Sequence, residues 1–211
     1  MIAVGIVAHH SRSEQAKQLT KTVGADFISI DNGTLGCDEN HHLVQYHLSH
    51  LRSDWSVVLE DDAEPVPNFR HQATQALLAA PAPIVSFYLG RRKPSHYQPR
   101  IAKALTTAGE TEACWIIATH MLHAVGYAIK TPLLPSLLEH HSDQPSDQHI
   151  ASWARLHGHT IAYTVPSLVN HSDGPTLFDH PDGQPRRPGR RAWIVGERDE
   201  WSSQPVVSLT R

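Results

Sequence analysis

The chain has 211 residues, 40% of them hydrophobic and 18% charged, with a formal net charge of -3. That length suits one domain with a full core, since single domains commonly run to roughly 200 residues or more. An aromatic content of 7% and so small a charge argue against a disordered acidic chain and a dedicated basic nucleic-acid module, and fit an ordinary enzyme.

The elements follow in order. Ile2 to Ala8 is an apolar β-type run, too short to span a bilayer and without a basic leader, and it reads as a first strand. Ser11 and Glu14 have the spacing of a helix capping box, which predicts a helix through about Val23 ended by Gly24. Asp26 to Ile30 is a second strand running into the turn residues Asp31, Asn32 and Gly33. Asp38 is placed to cap the next helix, in which Leu43, Tyr46, Leu48 and Leu51 supply an apolar stripe.

The strand Trp55-Ser56-Val57-Val58-Leu59 then breaks directly into Glu60, Asp61 and Asp62. Neighbouring carboxylates repel one another and raise one another's pKa until a cation neutralises them, so this strand end calls for a counter-ion. A hard divalent metal is the natural candidate. In extended chain Glu60 and Asp62 share one side while Asp61 faces the other and braces the turn, with Pro65 and Pro67 stopping the strand.

Asn68 is placed to cap a helix that turns Phe69, Ala73, Ala76 and Leu77 inward, and Pro81 and Pro83 separate it from a strand over Ile84 to Leu89. Gly90 to about Gly109 is basic, with Arg91, Arg92, Lys93, Arg100 and Lys103, and reads as a long loop able to act as a lid. Further strands are expected at Ala113 to Ala118, Tyr127 to Ile129 and Thr160 to Val165, with helices at Pro132 to about Glu139 and Asp147 to His157. This alternation argues for an α/β sandwich whose ligands collect at the carboxyl ends of its strands. The acidic triplet, His9-His10-Ser11-Arg12 and Asp31-Asn32 all stand at such ends.

Cys37 and Cys114 are too few for a disulfide framework or a four-cysteine zinc site, so a reducing cytosol is expected. The 17 histidines invite a metal-site reading, but no pair has the His-Glu-x-x-His pattern. His47 and His50, spaced i,i+3, lack a third ligand nearby and read as a solvated helix face.

Four blocks carry a resemblance: Ile6 to Arg12, Val58 to Ala63, Gly126 to Ile129, and Pro145 to His171. In order and spacing they resemble nucleotide-sugar glycosyltransferases of the GT-A fold, especially the bacterial lipopolysaccharide and collagen glycosyltransferase-like group, with a bacteriophage enzyme as one member type. The resemblance implies a single Rossmann-like α/β/α sandwich with a mixed sheet over residues 1–180, followed by a basic Pro/Gly/Arg-rich tail over 181–211. It implies a hexosyltransferase that moves a sugar from a nucleoside diphosphate sugar, a UDP-sugar foremost, to an acceptor hydroxyl. A manganese or magnesium ion would bridge the acidic motif to the diphosphate and stabilise the charge of the leaving group.

Residue by residue, the resemblance makes Asp62 a direct metal ligand and His171 the second, a neutral imidazole suiting manganese. Glu60 would sit near the ribose or sugar, although Glu replaces the more usual Asp there. Asp61 would reach the donor sugar or a metal-bound water. Ala8, His9, Ser11 and Arg12 would lie over the base and ribose, with Asp31 and Asn32 hydrogen-bonding the nucleoside. Asp147, in Pro145-Ser146-Asp147-Gln148, would be the catalytic base. Bland readings stand beside these: a turn at Asn170 to Ser172, a β-turn at Asp31-Asn32, and helix capping by Asp147.

Gln184 to Trp193 gathers Arg186, Arg187, Arg190 and Arg191 beside an aromatic, either a solvated arm or a clamp for diphosphate or for a phosphate-bearing acceptor. The resemblance, which extends to bacteriophage enzymes that modify hydroxymethylated DNA bases, implies a glycan or such a DNA base as the acceptor and a cytoplasmic location, that of the host for a phage-encoded protein. The rival classes are a metal-dependent phosphoesterase and a non-catalytic calcium-binding α/β module. No Gly-x-Ser-x-Gly elbow and no P-loop occur, which argues against serine hydrolases and P-loop kinases.

Overall fold

A computed structural model describes residues 1–172 and 189–209. The first half is a regular alternation: β1 (Ile2–His9), α1 (Ser13–Val23), β2 (Phe27–Asp31), α2 (Cys37–Ser49) and β3 (Trp55–Glu60). β1 lies between β2 and β3 and is parallel to both. The remainder supplies β4 (Ala63–Pro65), α3 (Phe69–Leu78), β5 (Ile84–Ser86), α4 (Gln98–Glu110), β6 (Trp115–Ala118) and β7 (Gly126–Lys130). It ends with α5 (Leu134–Leu138), α6 (Ser146–Leu156), β8 (Ile161–Thr164), β9 (Val169–His171) and β10 (Val206–Ser208).

Eight strands form one mixed sheet in the order β10-β6-β8-β5-β7-β3-β1-β2. β7 is antiparallel to both β3 and β5, and β6 is antiparallel to β8. Alternation along each strand divides the core. Val4, Ile6 and Ala8 of β1 pack with Ala16, Leu19 and Val23 of α1 and with Phe69, Ala73 and Leu77 of α3. Ala3 and Val7 face the other way, toward Val44 and Leu48 of α2, and the same core takes Ile101 of α4 and Leu137 of α5. Period-two strands with an apolar residue on each face can only be buried between two helical layers, so the expected α/β/α sandwich with a mixed sheet is what forms. Each fully buried large apolar side chain contributes about 1.5–3 kcal/mol to that packing. No helix of the described residues is long and apolar enough to cross a membrane.

Gly5 sets the position of α2. A Cβ there would stand 2.5 Å from Val44 Cγ1, so the helix rests directly on the β1 backbone. Gly24, with φ +60°, ends α1 in the left-handed conformation as its place in the sequence predicts.

Five local expectations are corrected. Ser11 does not cap α1; it lies in a 3-10 turn over His10–Arg12, where its hydroxyl meets His9 Nδ1 at 2.8 Å. Asp38 sits inside the first turn of α2 and accepts from the backbone N and the hydroxyl of Ser146, joining α2 to α6. α2 also buries a different face: Asn40, His41, Val44, Gln45 and Leu48 are inside, whereas Tyr46 and Leu51 are exposed. Asn68 occupies the N-cap of α3 without a side-chain capping bond, its amide lying 3.4 Å from Glu197. The proposed lid is largely α4, because Ile101, Ala104 and Ala108 make an i, i+3, i+7 stripe under the basic residues and Pro99 stands in the first turn.

β3 ends at Glu60, and Asp61-Asp62 turn the chain into β4, which leaves the main sheet to pair with β9. Of the stretch expected as a tail, Arg186 and Arg187 lie outside the described residues, but its described part joins the domain. Val206–Ser208 adds β10 beside β6, Ala192 is buried, and the Tyr88 hydroxyl donates to the Arg190 carbonyl at 3.0 Å.

Candidate functional site

The carboxyl ends of β1, β2 and β3 open into a cavity of about 210 Å³ walled by Ala8, His9, Arg12, Asp31, Glu60, Asp61, Asp62 and His171. Arg12 is the first cation to meet the acidic turn: its Nη1 lies 2.9 Å from Asp61 Oδ1 and 2.7 Å from Asp62 Oδ2. Burial works against its charge, but the hydrogen bond to Asp61 and the charge of Asp62 outweigh it and raise the guanidinium pKa. Asp61 spends its other oxygen on the His9 amide at 2.8 Å, so this side chain holds the loop after β1 to the acidic turn. The counter-ion demanded by the sequence is therefore partly met by protein.

His171 comes to the same place through the β4–β9 ribbon. Ala63 is opposite His171, Ser172 N donates to the Asp62 carbonyl at 2.9 Å, and His171 Nε2 stands 3.5 Å from Asp62 Oδ2. The His171 Nδ1 donates to the Ser172 carbonyl, so in the neutral ring it is Nε2 that offers a lone pair on the side of the carboxylate. Asp62 Oδ1 is buried with no hydrogen-bond partner. Burial, with Glu60 next, pushes the Asp62 carboxyl above its ordinary value. Two electron-pair donors turned toward each other, one beside an orphaned carboxylate oxygen, fit a hard divalent cation of the manganese or magnesium type.

Glu60 faces α2. His41 Nε2 lies 3.2 Å from Glu60 Oε1 and His41 Nδ1 lies 3.1 Å from Tyr127 Oη, which also accepts from Gln45 Nε2 at 2.8 Å. Burial raises the Glu60 pKa, but the interactions led by the His41 bond outweigh it and leave the carboxyl below its usual value. None of Asn40, His41 and Gln45 was singled out as a site residue from sequence. The signal present was a helix with polar groups at i, i+1 and i+5 around the apolar Val44, a pattern that an expectation of an apolar stripe passes over.

The other expected residues divide. Ala8 lines the cavity, and its carbonyl accepts from Asn40 Nδ2 at 2.9 Å. His9 lines it too, but Ser11 is not part of the wall. Asp31 reaches the wall with both oxygens engaged, accepting from the backbone N of Gly33, Thr34, Leu35 and Gly36. Those bonds, the one from Leu35 foremost, outweigh desolvation and depress its pKa. Asn32 is exposed, bonds Thr34, and stands outside the cavity wall.

Asp147 belongs to a second cavity of about 340 Å³, which shares Cys37, Glu60, His171 and Arg190 with the first and adds Arg91, Lys93 and His123. The Asp147 carboxylate accepts from the Gln148 amide at 2.8 Å in the first turn of α6. Burial still dominates and pushes its pKa up to about 6. A carboxyl so tuned takes up protons near neutral pH, which suits general base work.

No family model and no curated protein matches the chain. Among solved structures it is similar to A197 from STIV, with 11% identity over 96% of this chain and 97% of that one and a TM-score of 0.49. It is similar to a glycosyltransferase involved in the glycosylation of the major capsid of PBCV-1, with 12% identity over 72% and 76% of the two chains and a TM-score of 0.38. It is also similar to the inositol-1-phosphate CTP transferase from T. maritima, with 10% identity over 77% of this chain and 65% of that one and a TM-score of 0.38.

Proposed function

We propose that this chain is a divalent-metal-dependent glycosyltransferase that moves a sugar, a hexose foremost, from a nucleoside diphosphate sugar to an acceptor hydroxyl. One observation carries the reading: Asp62 and His171 meet at 3.5 Å, with Asp62 Oδ1 buried and unpartnered, where two cavities adjoin. A one-substrate binding module has no need of two cavities that share a wall. A transferase needs a donor pocket and an acceptor pocket facing each other across the reacting bond.

In this reading the first cavity takes the donor. Ala8, His9 and the turn pinned by Asp31 bound the nucleoside, and Arg190, on the shared wall, binds phosphate oxygens. Asp62 and His171 hold manganese or magnesium, which supplies Lewis-acid stabilisation of the departing diphosphate when bound. Asp61 keeps Arg12 and the loop after β1 in place, and Glu60 faces the sugar. The acceptor enters the second cavity, where Asp147 removes the proton of its attacking hydroxyl. Arg91, Lys93 and Arg190 along that cavity suit an acceptor carrying phosphates, a hydroxymethylated DNA base within a strand, as well as a charged glycan.

Calorimetry with manganese and a panel of nucleoside diphosphate sugars, UDP-sugars first, tests the reading. The expected result is binding of one donor only in the presence of the metal, with His171→Ala reducing metal affinity and turnover together. Binding of calcium with indifference to nucleotides would make the protein a calcium module, and consumption of generic phosphoesters would make it a phosphoesterase. Duplex DNA binding that collapses between low and high salt selects the nucleic-acid acceptor.

A further inference from the structure

On the α2 side of the second cavity the ligand-bearing residues include a sulfur, which the Asp62 and His171 pair lacks. Cys37 and His41, four residues apart, lie on one face of the first turns of α2, and Glu60 ends β3 opposite them. The Cys37 thiol, a His41 ring nitrogen and a Glu60 carboxylate oxygen all lie within 4.8 Å of one another. Ligand atoms around a tetrahedral zinc stand about 3.3–3.8 Å apart, given bonds of about 2.0–2.3 Å, so side-chain adjustments of an ångström or so close the set.

We propose that Cys37, His41 and Glu60 form a second cation site, one that takes a thiophilic divalent ion of the zinc class. Sulfur and imidazole ligands select zinc or cobalt over manganese and magnesium, whereas Asp62 and His171 offer a harder pair. Three protein ligands leave a fourth position open, and Cys37 and Glu60 both line the two cavities, so that position faces solvent and any bound substrate.

The surroundings match such a site. His41 is 1% exposed, and its Nδ1 meets Tyr127 Oη, which Gln45 Nε2 holds in turn. This outer pair fixes the ring with Nε2 directed at Glu60, as a partner on the distal nitrogen does for metal-binding histidines. Without a cation the Nε2 proton is shared with Glu60 and the thiol keeps its own. On binding, the thiol proton leaves to solvent and the ring proton passes to Nδ1, facing Tyr127 Oη, so one thiolate sulfur, one imidazole nitrogen and one carboxylate oxygen become available.

Cobalt is the probe, because a thiolate on cobalt gives a charge-transfer absorption in the near ultraviolet and carboxylate or imidazole alone does not. Adding one equivalent of cobalt to the full chain should produce that band, and zinc should abolish it by displacement while excess magnesium should not. Cys37→Ser should remove the band, whereas Cys114→Ala, in the opposite core, should keep it. His41→Ala and Tyr127→Phe should each weaken cobalt binding by about 10–100-fold while leaving the thiolate band at saturation. No band in the native chain, or a band that survives Cys37→Ser, overturns the proposal. Unchanged affinity in Tyr127→Phe also overturns it, since the His41 ring that Tyr127 holds would then not be a ligand; that variant keeps the test decisive if His41→Ala fails to fold. None of these readouts depends on sugar transfer, so the site stands or falls separately from the proposed reaction.

Discussion

The two helices that flank β1 do opposite things. α1 buries Ala16, Leu19 and Val23 against one face of the sheet and carries no group of either cavity wall. α2 buries Val44 and Leu48 against the other face but also Asn40, His41 and Gln45, whose polar atoms hold Ala8, Tyr127 and Glu60. Burying a polar group costs free energy unless it is hydrogen-bonded, so a helix that buries three, with His41 and Gln45 meeting at Tyr127 and Asn40 reaching the Ala8 carbonyl, is committed to a single placement. The sheet thus has one side that secures the fold and one that secures the site.

Substitutions should separate the two sides, and the largest effect is expected on the cavity side. Asp147→Asn keeps an acceptor for the Gln148 amide but loses the base, so turnover should fall by about 10²–10⁴-fold with donor affinity unchanged. The same variant should be more stable. A carboxyl whose folded pKa is raised to about 6 stabilises the fold only while protonated and loses that contribution as pH rises through 6, so replacing it should raise Tm by about 2–4 °C near neutral pH. In the native protein, turnover should climb with pH through about 6 as Asp147 ionises, and a profile flat across that range would remove it from the chemistry.

On the opposite side Phe69, 2% exposed and edge-on to Phe87 with ring centroids 5.5 Å apart, touches neither cavity. Phe69→Ala should cost about 3–5 kcal/mol in chemical denaturation, yet the folded fraction should bind donor normally. Donor binding lost in proportion to stability would break the distinction between the two sides.

Gly5→Ala tests where they join. The added Cβ would meet Val44 Cγ1 at 2.5 Å and push α2 off β1, so about 1–3 kcal/mol should be lost and donor affinity should weaken with it. The smallest effect belongs to Asn32→Ala. That residue is exposed and bonds only its own turn in the contacts described, so stability should move by no more than about 0.5 kcal/mol and donor titration should be unchanged.

Legibility in the sequence followed the same division. β1 and β3 were visible as apolar runs, and α3 as the spacing of Phe69, Ala73, Ala76 and Leu77, because burial on a sheet or against it imposes a period that the sequence must keep. α4 is not legible in the same way, because its basic residues mask the short stripe of Ile101, Ala104 and Ala108, two members of which are alanines with little apolar signal. β4, β9 and β10 have three residues each, too few for a period to register. Among site residues, the acidic triplet and His171 stood out by residue type and position. His41 and Gln45 did not, since among 17 histidines nothing local marks the one whose ring is enclosed.

By itself the sequence determined that strands and helices alternate, that acids gather at the end of the third strand, and that a late histidine follows the strand that begins near Thr160. Those are properties of neighbours along the chain, written in periodicity and residue type. Only the tertiary structure decided that Arg12 reaches both Asp61 and Asp62, that the β4–β9 ribbon sets His171 beside Asp62, and that Cys37, His41 and Glu60 share one wall. Apart from Cys37 and His41 on their shared helix, the sequence separations involved run from about twenty residues to more than a hundred. What closes them is backbone pairing and the close seat that Gly5 gives to α2, neither of which any local pattern encodes.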